Sequence, residues 1–232
     1  GLAFSLRRQT REKAQEAASL AETEETPAEE VELELNAYED VDALFQNYYR
    51  AVAEGDADTI QSISSALSDE EKIRIRELAN YIDSYTTVDV YTKKGPVDNS
   101  YVAYVYTKLK LKDHEWEIPG LQTMYVCTRD DGTLYINNDE TQPKTVSEYI
   151  QLVSVQDDVV DLNNKVVVAY NDLLAEDENL SEFLAYMKEK INEDVGEILA
   201  QADQPEQTEE ETGETTDETA EETAPVAIKA RA

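Results

Sequence analysis

The sequence predicts an α+β domain in which helices pack on a curved, four-stranded antiparallel sheet, with extra helices at the C-terminal end. Two changes of periodicity carry this prediction. Apolar residues recur at helical spacing over 38–82 and alternate with a period of two over 86–138. The helical period returns after Pro143. Helices, then a run of strands, then closing helices is the order typical of α+β domains.

The first predicted helix is the clearest element of the chain. It ends at Gly55, and Asp56 is placed to cap a short second helix. Ser68 followed by Glu71 matches the capping box that begins a third helix, because each side chain can bind the other residue's main-chain N–H. One face of the first helix carries a continuous apolar stripe of Val41, Leu44, Phe45, Tyr48 and Val52.

Four strand-like runs follow, and all are rich in Val, Tyr, Thr and Ile. They cover 86–94, 100–111, 121–128 and 133–138. Residues that favour turns separate them: Gly95-Pro96 with Asp98-Asn99, then Pro119-Gly120, then Asp131-Gly132. Asp-Gly is a strong hairpin signal, since glycine accepts the positive φ that tight turns require. An antiparallel meander is therefore expected.

Two further apolar stripes at helical spacing predict the closing helices. A break at 176–179 separates them. The first stripe is Val159, Leu162, Val166, Tyr170 and Leu173, and the second is Leu180, Phe183, Leu184, Met187, Ile191 and Ile198.

The segments that flank this patterned region are acidic and contain few apolar residues. Residues 21–35 carry seven carboxylates and no base, and 203–224 carry ten and no base. Such segments bury too little apolar surface to offset the entropy lost on ordering. The predicted organisation is a juxtamembrane stub and acidic linker over 1–35, one domain over 36–200, a disordered acidic linker over 201–225 and the start of a truncated downstream module over 226–232.

The charge balance limits the partners that the chain can take. With 52 acidic and 20 basic residues its formal net charge is −32, so nucleic-acid phosphates and anionic membrane surfaces would repel it. No apolar run reaches the roughly 18 residues that span a bilayer, and no signal peptide is visible. Five lysines form the one basic patch of the predicted domain, which is expected to be a solvated outer face and a second-choice site for an anionic partner: Lys93, Lys94, Lys108, Lys110 and Lys112.

Catalytic and metal-binding signatures are lacking in the sequence. The chain has one histidine, His114, and one cysteine, Cys127. Neither a zinc site nor a nucleophile pair then has its usual partners, so no cofactor or metal is predicted. His114 is expected to be an exposed loop residue, and Cys127 a small apolar core residue.

Residues 38–63 resemble the opening helix pair of nuclear transport factor 2-like domains. Tyr48-Tyr49, Ala51-Val52, Gly55-Asp56 and Ile60 stand in the places of that family's "YY-x-A-hydrophobic-x-x-G-D" phrase and of the short helix that follows it. The resemblance implies a cone-like domain whose concave face forms a pocket. The helices after residue 145 depart from the family pattern, in which strands come last.

The resemblance also provides candidate pocket residues: Tyr48, Tyr49, Tyr104, Trp116 and Tyr125. The alternative is that these tyrosines fill the core and reach the surface through their hydroxyl groups. No catalytic residue is assigned.

The end of the chain carries a second, shorter resemblance. The residues Ile228 to Ala232, IKARA, are similar to phrases that precede bacterial Src-homology-3-type modules, which often bind cell walls. This implies a membrane-anchored parent protein at a Gram-positive-type cell surface, with a cell-wall polymer or another surface protein as partner.

Three functions are compatible with these observations. The first is a non-enzymatic extracytoplasmic domain, acting as a spacer or interaction module beside a wall-binding module. The second is a domain with a small-molecule-binding pocket. The third is an isomerase or hydratase-like enzyme that uses a buried aspartate and a tyrosine hydroxyl.

Overall fold

A computed structural model describes residues 29–203. Eleven elements occur within this range. In chain order they are β1 (Glu34–Leu35), α1 (Glu39–Glu54), α2 (Ala57–Ser62), α3 (Asp69–Ala79), β2 (Ile82–Lys94), β3 (Tyr101–Leu111), β4 (Glu117–Thr128), β5 (Leu134–Ile136), α4 (Lys144–Ser154), α5 (Asp157–Glu176) and α6 (Glu178–Ala202).

The α+β class is confirmed, and the strands form one antiparallel sheet in the order β1-β2-β3-β4-β5. The sheet has five strands, so the prediction of four is wrong. The additional strand, β1, pairs Glu34 with Thr92 and Leu35 with Tyr91. Two residues at the end of an acidic run carry no periodicity, so only the pairing with β2 reveals this strand.

A second correction concerns Pro119-Gly120, which was expected to separate two strands. Both residues lie inside β4, where Pro119 pairs with Lys108 and Gly120 with Thr107. Tyr125 directs its main-chain carbonyl away from β3, towards Asn137. The direction of the main-chain N–H and C=O groups alternates from one residue to the next along a strand, so those of Pro119 also point away from β3. The N–H that proline lacks would therefore have made no hydrogen bond to β3.

The sequence signals for the first three helices are confirmed. Gly55 ends α1 with a φ of 70°, which favours glycine because it has no Cβ. Asp56 caps α2 by accepting from the Thr59 N–H. Ser68 and Glu71 form both hydrogen bonds of the capping box at α3.

The face of the sheet that we call the inner face packs against α1 and the main apolar core. It includes Val90, Val105, Leu109 and Met124, which alternate with residues on the other face. Other fully buried members of the core come from α1, α3 and α6: Val41, Phe45, Val52, Ile75 and Leu180. Within the described residues, α3 also packs directly on α6.

The opposite face, the outer face, is covered by α4 and the beginning of α5. Tyr104 is 1% exposed on this face, and its hydroxyl lies 2.7 Å from the Ser154 Oγ. The Tyr149 hydroxyl donates to the Lys94 carbonyl oxygen. These contacts place the α4–α5 junction against the sheet.

Lys93 corrects the expectation of a solvated basic patch. It lies on the outer face opposite Val102 and is completely buried. Its Nζ is 2.7 Å from both the Asp158 Oδ1 and the Gln156 Oε1. Strand alternation alone could not show that a helix covers this lysine, since that depends on where α5 packs.

The acidic flanks fall largely outside the described residues, as do residues 1–28 of the stub and linker predicted over 1–35 and the downstream module predicted over 226–232. The helix α6 continues to Ala202, two residues beyond the predicted domain end. Between residues 29 and 203, no helix combines the length and apolar character that crossing a membrane requires.

Candidate ligand-binding cavity

A cavity of about 300 Å³ opens where β4 continues beyond the end of β5. We call it the β4 cavity. Three helices, two loops and two strands contribute to its wall, so it depends on tertiary packing. Its lining residues are Tyr48, Ile60, Ser64, Leu67, Glu71, Gln122, Thr123, Met124, Tyr125, Ile136, Asn137, Asn138 and Glu140.

One side of the β4 cavity is held by paired amides. The Asn138 Oδ1 accepts from the Ala66 N–H at 2.9 Å, and its Nδ2 donates to the Ala66 carbonyl at 2.8 Å. The Asn137 Oδ1 accepts from the Gln142 Nε2 at 2.7 Å. The Asn138 bonds join the loop before α3 to the chain after β5, and the Asn137 bond lies within the segment after β5. Both asparagines therefore hold the wall in place.

Two polar side chains at the cavity have hydrogen-bonding capacity left. The Gln122 Oε1 accepts from the Tyr49 hydroxyl at 3.1 Å, which orients the amide. Within residues 29–203 the Gln122 Nε2 has no hydrogen-bond acceptor, and the Tyr48 hydroxyl has no hydrogen-bond partner. Both groups can therefore bind a ligand without breaking an existing bond.

Charge at the β4 cavity is negative. Glu71 and Glu140 contribute carboxylates, and no Lys, Arg or His occurs among the described lining residues. The Glu71 Oε2 accepts from the Ser68 N–H in the capping box, while Glu140 is exposed. A cation or a neutral donor-rich group is favoured here, and an anion is disfavoured.

Three tyrosines form a cluster behind the cavity. The ring of Tyr49 lies 4.9 Å from that of Tyr48 and 4.8 Å from that of Tyr85. Burial raises the pKa of all three hydroxyls, so they remain neutral and able to donate at ordinary pH. Among the described residues the buried Tyr85 hydroxyl has no hydrogen-bond partner.

Tyr49 and Tyr85 also line a second cavity, of about 260 Å³, on the other side of α1. The tyrosine cluster therefore lies between two cavities, with Tyr49 connected to the β4 cavity through Gln122.

The five predicted pocket residues do not come together. Tyr48 and Tyr125 line the β4 cavity, and Tyr49 contacts it through Gln122. Tyr104 lies beneath α4, and burial raises its pKa to about 12. Burial also raises the pKa of Tyr125 to about 12.

Trp116 lies in a different aromatic group, at the joint between α5 and α6. Its indole stacks on His114 at 4.2 Å, and its Nε1 donates to the Asp177 Oδ2 at 2.9 Å. This hydrogen bond is the main cause of the lowered pKa of Asp177. Phe183 lies 4.4 Å from His114, so His114 lies in a loop as expected but is partly buried rather than exposed.

Sequence reasoning missed the polar residues of the cavity, Gln122, Asn137, Asn138 and Glu140, and identified Glu71 only as a cap. Gln122 lies on the inner face of β4, which period-two alternation could have shown. Asn137 and Asn138 fall within the run predicted as a strand over 133–138, but β5 ends at Ile136, so both lie with Glu140 in the loop that follows.

Aspartate is not among the described residues that line the β4 cavity, and the one in the second cavity, Asp83, is exposed. The enzyme alternative, which needs a buried aspartate, therefore gains no geometric support from either cavity. Cys127 is partly exposed rather than a core residue, and it lies 3.7 Å from the Asn137 Nδ2. Within 29–203 no group of three or more acidic, His or Cys side chains is arranged to hold a metal ion.

Comparison of the chain with protein-family models, with curated proteins and with solved structures finds no match. The likeness of residues 38–63 to nuclear transport factor 2-like domains and that of the IKARA segment to bacterial Src-homology-3-type modules therefore stay predictions.

Proposed function

We propose that this domain is a non-enzymatic binding module that holds a neutral or cationic polar ligand in the β4 cavity. One observation carries the proposal. The cavity has about 300 Å³ of space, and its described polar wall consists of hydroxyls, amides and two carboxylates without a base. This volume lies at the lower end of the range for small-molecule sites, which suits a single sugar, amino acid or side chain.

The groups that remain free support a ligand that both donates and accepts hydrogen bonds. The Tyr48 hydroxyl and the Gln122 Nε2 can donate to a ligand oxygen, and Glu140 can accept from a ligand amine or hydroxyl. Leu67 and Met124 provide apolar wall. The net charge of −32 further disfavours an anion.

The setting of this module is also proposed, and it rests on the sequence alone. The acidic flanks and the IKARA segment support an extracellular, cell-surface position beside a wall-binding module. A cell-wall polymer that carries amino sugars or free amines has the ligand chemistry that the cavity favours.

The test is a thermal-shift titration of the full chain with three ligands of one ring size. Glucosamine is cationic, N-acetylglucosamine neutral and glucuronic acid anionic. We expect the first two to raise the Tm saturably and the third to have no effect. A ligand at 100 times its Kd stabilises by about 2.7 kcal/mol, which is roughly 5–10 °C for a chain of this size.

Variants show whether the cavity is the site. The double variant Glu71→Gln and Glu140→Gln removes both charges but keeps a capping box at α3, since glutamine serves there as well. Its affinity for glucosamine should fall about tenfold, equivalent to ~1.4 kcal/mol. The matched control, Asp130→Asn with Glu148→Gln, makes the same charge change away from the cavity.

Tyr48→Phe tests the same site without a charge change. It removes a hydroxyl that lacks a partner within the described residues, so folding stability should be nearly unchanged while ligand affinity falls. Equal binding by the cavity variants and the control, or equal binding of glucuronic acid, would contradict the proposal.

A further inference from the structure

The edge of β4 at the cavity is not covered by another strand of the described chain. The strand β5 pairs only with Val126 to Thr128. One more main-chain bond follows, from the Asn137 N–H to the Tyr125 carbonyl at 2.8 Å. Nearer the start of β4, no described strand lies on that side.

Alternation shows which main-chain groups this edge presents. In an antiparallel strand the N–H and C=O of one residue point the same way, and the next residue points the opposite way. Tyr125 directs its carbonyl towards Asn137, so Thr123 directs both of its main-chain groups to that same side. Within residues 29–203 neither group has a main-chain hydrogen-bond partner.

The side chains show that these main-chain groups reach the cavity. Thr123 pairs with Tyr104, and Tyr125 with Val102, which places both of these β4 side chains on the outer face. The cavity also contacts Tyr48, on the helix that covers the inner face. Thr123 and Tyr125 therefore line the cavity along the strand edge, where a donor and an acceptor are available.

We propose that the β4 edge and the β4 cavity together bind an extended peptide that carries a lysine or arginine. This deepens the proposed function and rests on it. One peptide residue exchanges both main-chain hydrogen bonds with Thr123, and its two neighbours point their side chains to the inner face. There a basic side chain reaches the carboxylates of Glu71 and Glu140.

Two features favour a peptide over the other occupants. The N–H and C=O of one strand residue match the C=O and N–H of a peptide residue. A sugar does not carry a donor and an acceptor held at the separation of these two main-chain groups. A second copy of this chain would bring its own net charge of −32, and the two copies would repel. A basic peptide is attracted by the same charge.

The test uses fluorescence anisotropy with the full chain and a labelled probe, acetyl-Thr-Lys-Thr-Lys-Thr-amide. A second peptide of the same sequence is N-methylated at every threonine, which removes the N–H groups that face the β4 edge when the lysines enter the cavity. The matched control is N-methylated at both lysines, whose N–H groups point to solvent. A further peptide carries glutamate in place of both lysines.

We expect saturable binding of the probe and of the lysine-methylated control. Methylation at the threonines should weaken binding by about tenfold or more, and so should the exchange of lysine for glutamate. On the protein side, Thr123→Pro removes the edge N–H at a position equivalent to Pro119 and should have the same effect. Because proline can disturb the strand locally, the methylated peptides keep the test valid on the unchanged protein.

Three results would overturn the inference. Equal binding of all methylated forms would show that the edge does not pair with the peptide, and an absence of binding would show the same. If glucosamine still raises the Tm in either case, the cavity proposal stands and only the peptide inference fails. A concentration-dependent dimer that is lost in Thr123→Pro would assign the edge to a second copy and also overturn the peptide inference.

Discussion

The two faces of the sheet are attached to their helices by different interactions. The inner face contacts α1 through a continuous apolar core that includes Phe45, which is completely buried. The outer face holds the α4–α5 junction with directional polar contacts, from Lys93 to Asp158 and from Tyr104 to Ser154. Apolar burial provides most of the stability, but it is non-directional and does not determine the orientation of a helix on the sheet. Polar contacts determine where the covering helices lie.

Alkaline pH should produce the largest effect, and the three buried tyrosines of the inner-face cluster contribute to it. Burial raises the pKa of Tyr48, Tyr49 and Tyr85 above the value near 10 of an unfolded chain. The folded state therefore keeps protons that the unfolded state loses. The free energy of unfolding keeps its full value below pH 10. It decreases as the pH rises towards the pKa values of the folded state, by up to about 1.4 kcal/mol per pH unit for each tyrosine.

Urea unfolding at pH 9, 10 and 11 measures this decrease. Tyr48→Phe should make the slope between pH 10 and 11 shallower, because one titrating group is removed. A free energy of unfolding that stays constant across this interval would contradict the assignment.

Phe45→Ala tests the inner face directly and should be the largest single-residue effect. The side chain is completely buried among core residues of α1 and the sheet. Removing it loses apolar burial and leaves a cavity, at a cost of about 3–5 kcal/mol. Equilibrium urea unfolding measures the loss. A cost below about 1 kcal/mol would mean that the inner face is not the main source of stability.

Lys93 provides the matching test on the outer face. Lys93→Ala removes both the ion pair and the buried alkyl chain, and we expect a loss of about 2–3 kcal/mol. Lys93→Met keeps most of the packing and should cost about 1 kcal/mol, since Asp158 is 43% exposed and can regain water. Equal losses in the two variants would show that the charge, and not the packing, carries the contribution.

The smallest expected effects come from one chemical change made on both faces. Tyr104→Phe removes a hydroxyl that is bonded to Ser154, so it should destabilise by about 1 kcal/mol. Tyr85→Phe removes a buried hydroxyl without a partner among the described residues, so it should be neutral or stabilise by up to about 1 kcal/mol. Thermal unfolding of both variants gives the signs, and Ser154→Ala completes a double-mutant cycle for the outer pair.

Local signals account for the parts of the fold that were predicted correctly. The end of α1 at Gly55 and the capping box of Ser68 with Glu71 depend on neighbouring residues only. The same holds for the hairpin turn at Asp131-Gly132, where Gly132 has a φ of 86°. Each of these features uses interactions within a few residues, so the order of the amino acids is enough to specify it.

The candidate site was predicted only in part. Of the predicted pocket residues, Tyr48 and Tyr125 line one cavity, whereas Tyr104 and Trp116 lie elsewhere. Their separation follows from the register of β3 with β4 and from the packing of α4 and α5. Neither of these is a local property, because each depends on residues far apart in the chain.

The sequence by itself therefore determined the class of the fold, the ends of the first helices, the turns and the negative charge that disfavours anionic ligands. These follow from periodicity, capping and composition. Only the tertiary structure decided that Lys93 is buried, that Pro119 lies inside β4 and that the edge at Thr123 faces a cavity. The physical reason is that burial and main-chain pairing depend on how helices and strands pack against one another. That packing is determined by contacts throughout the core, between residues far apart in the chain.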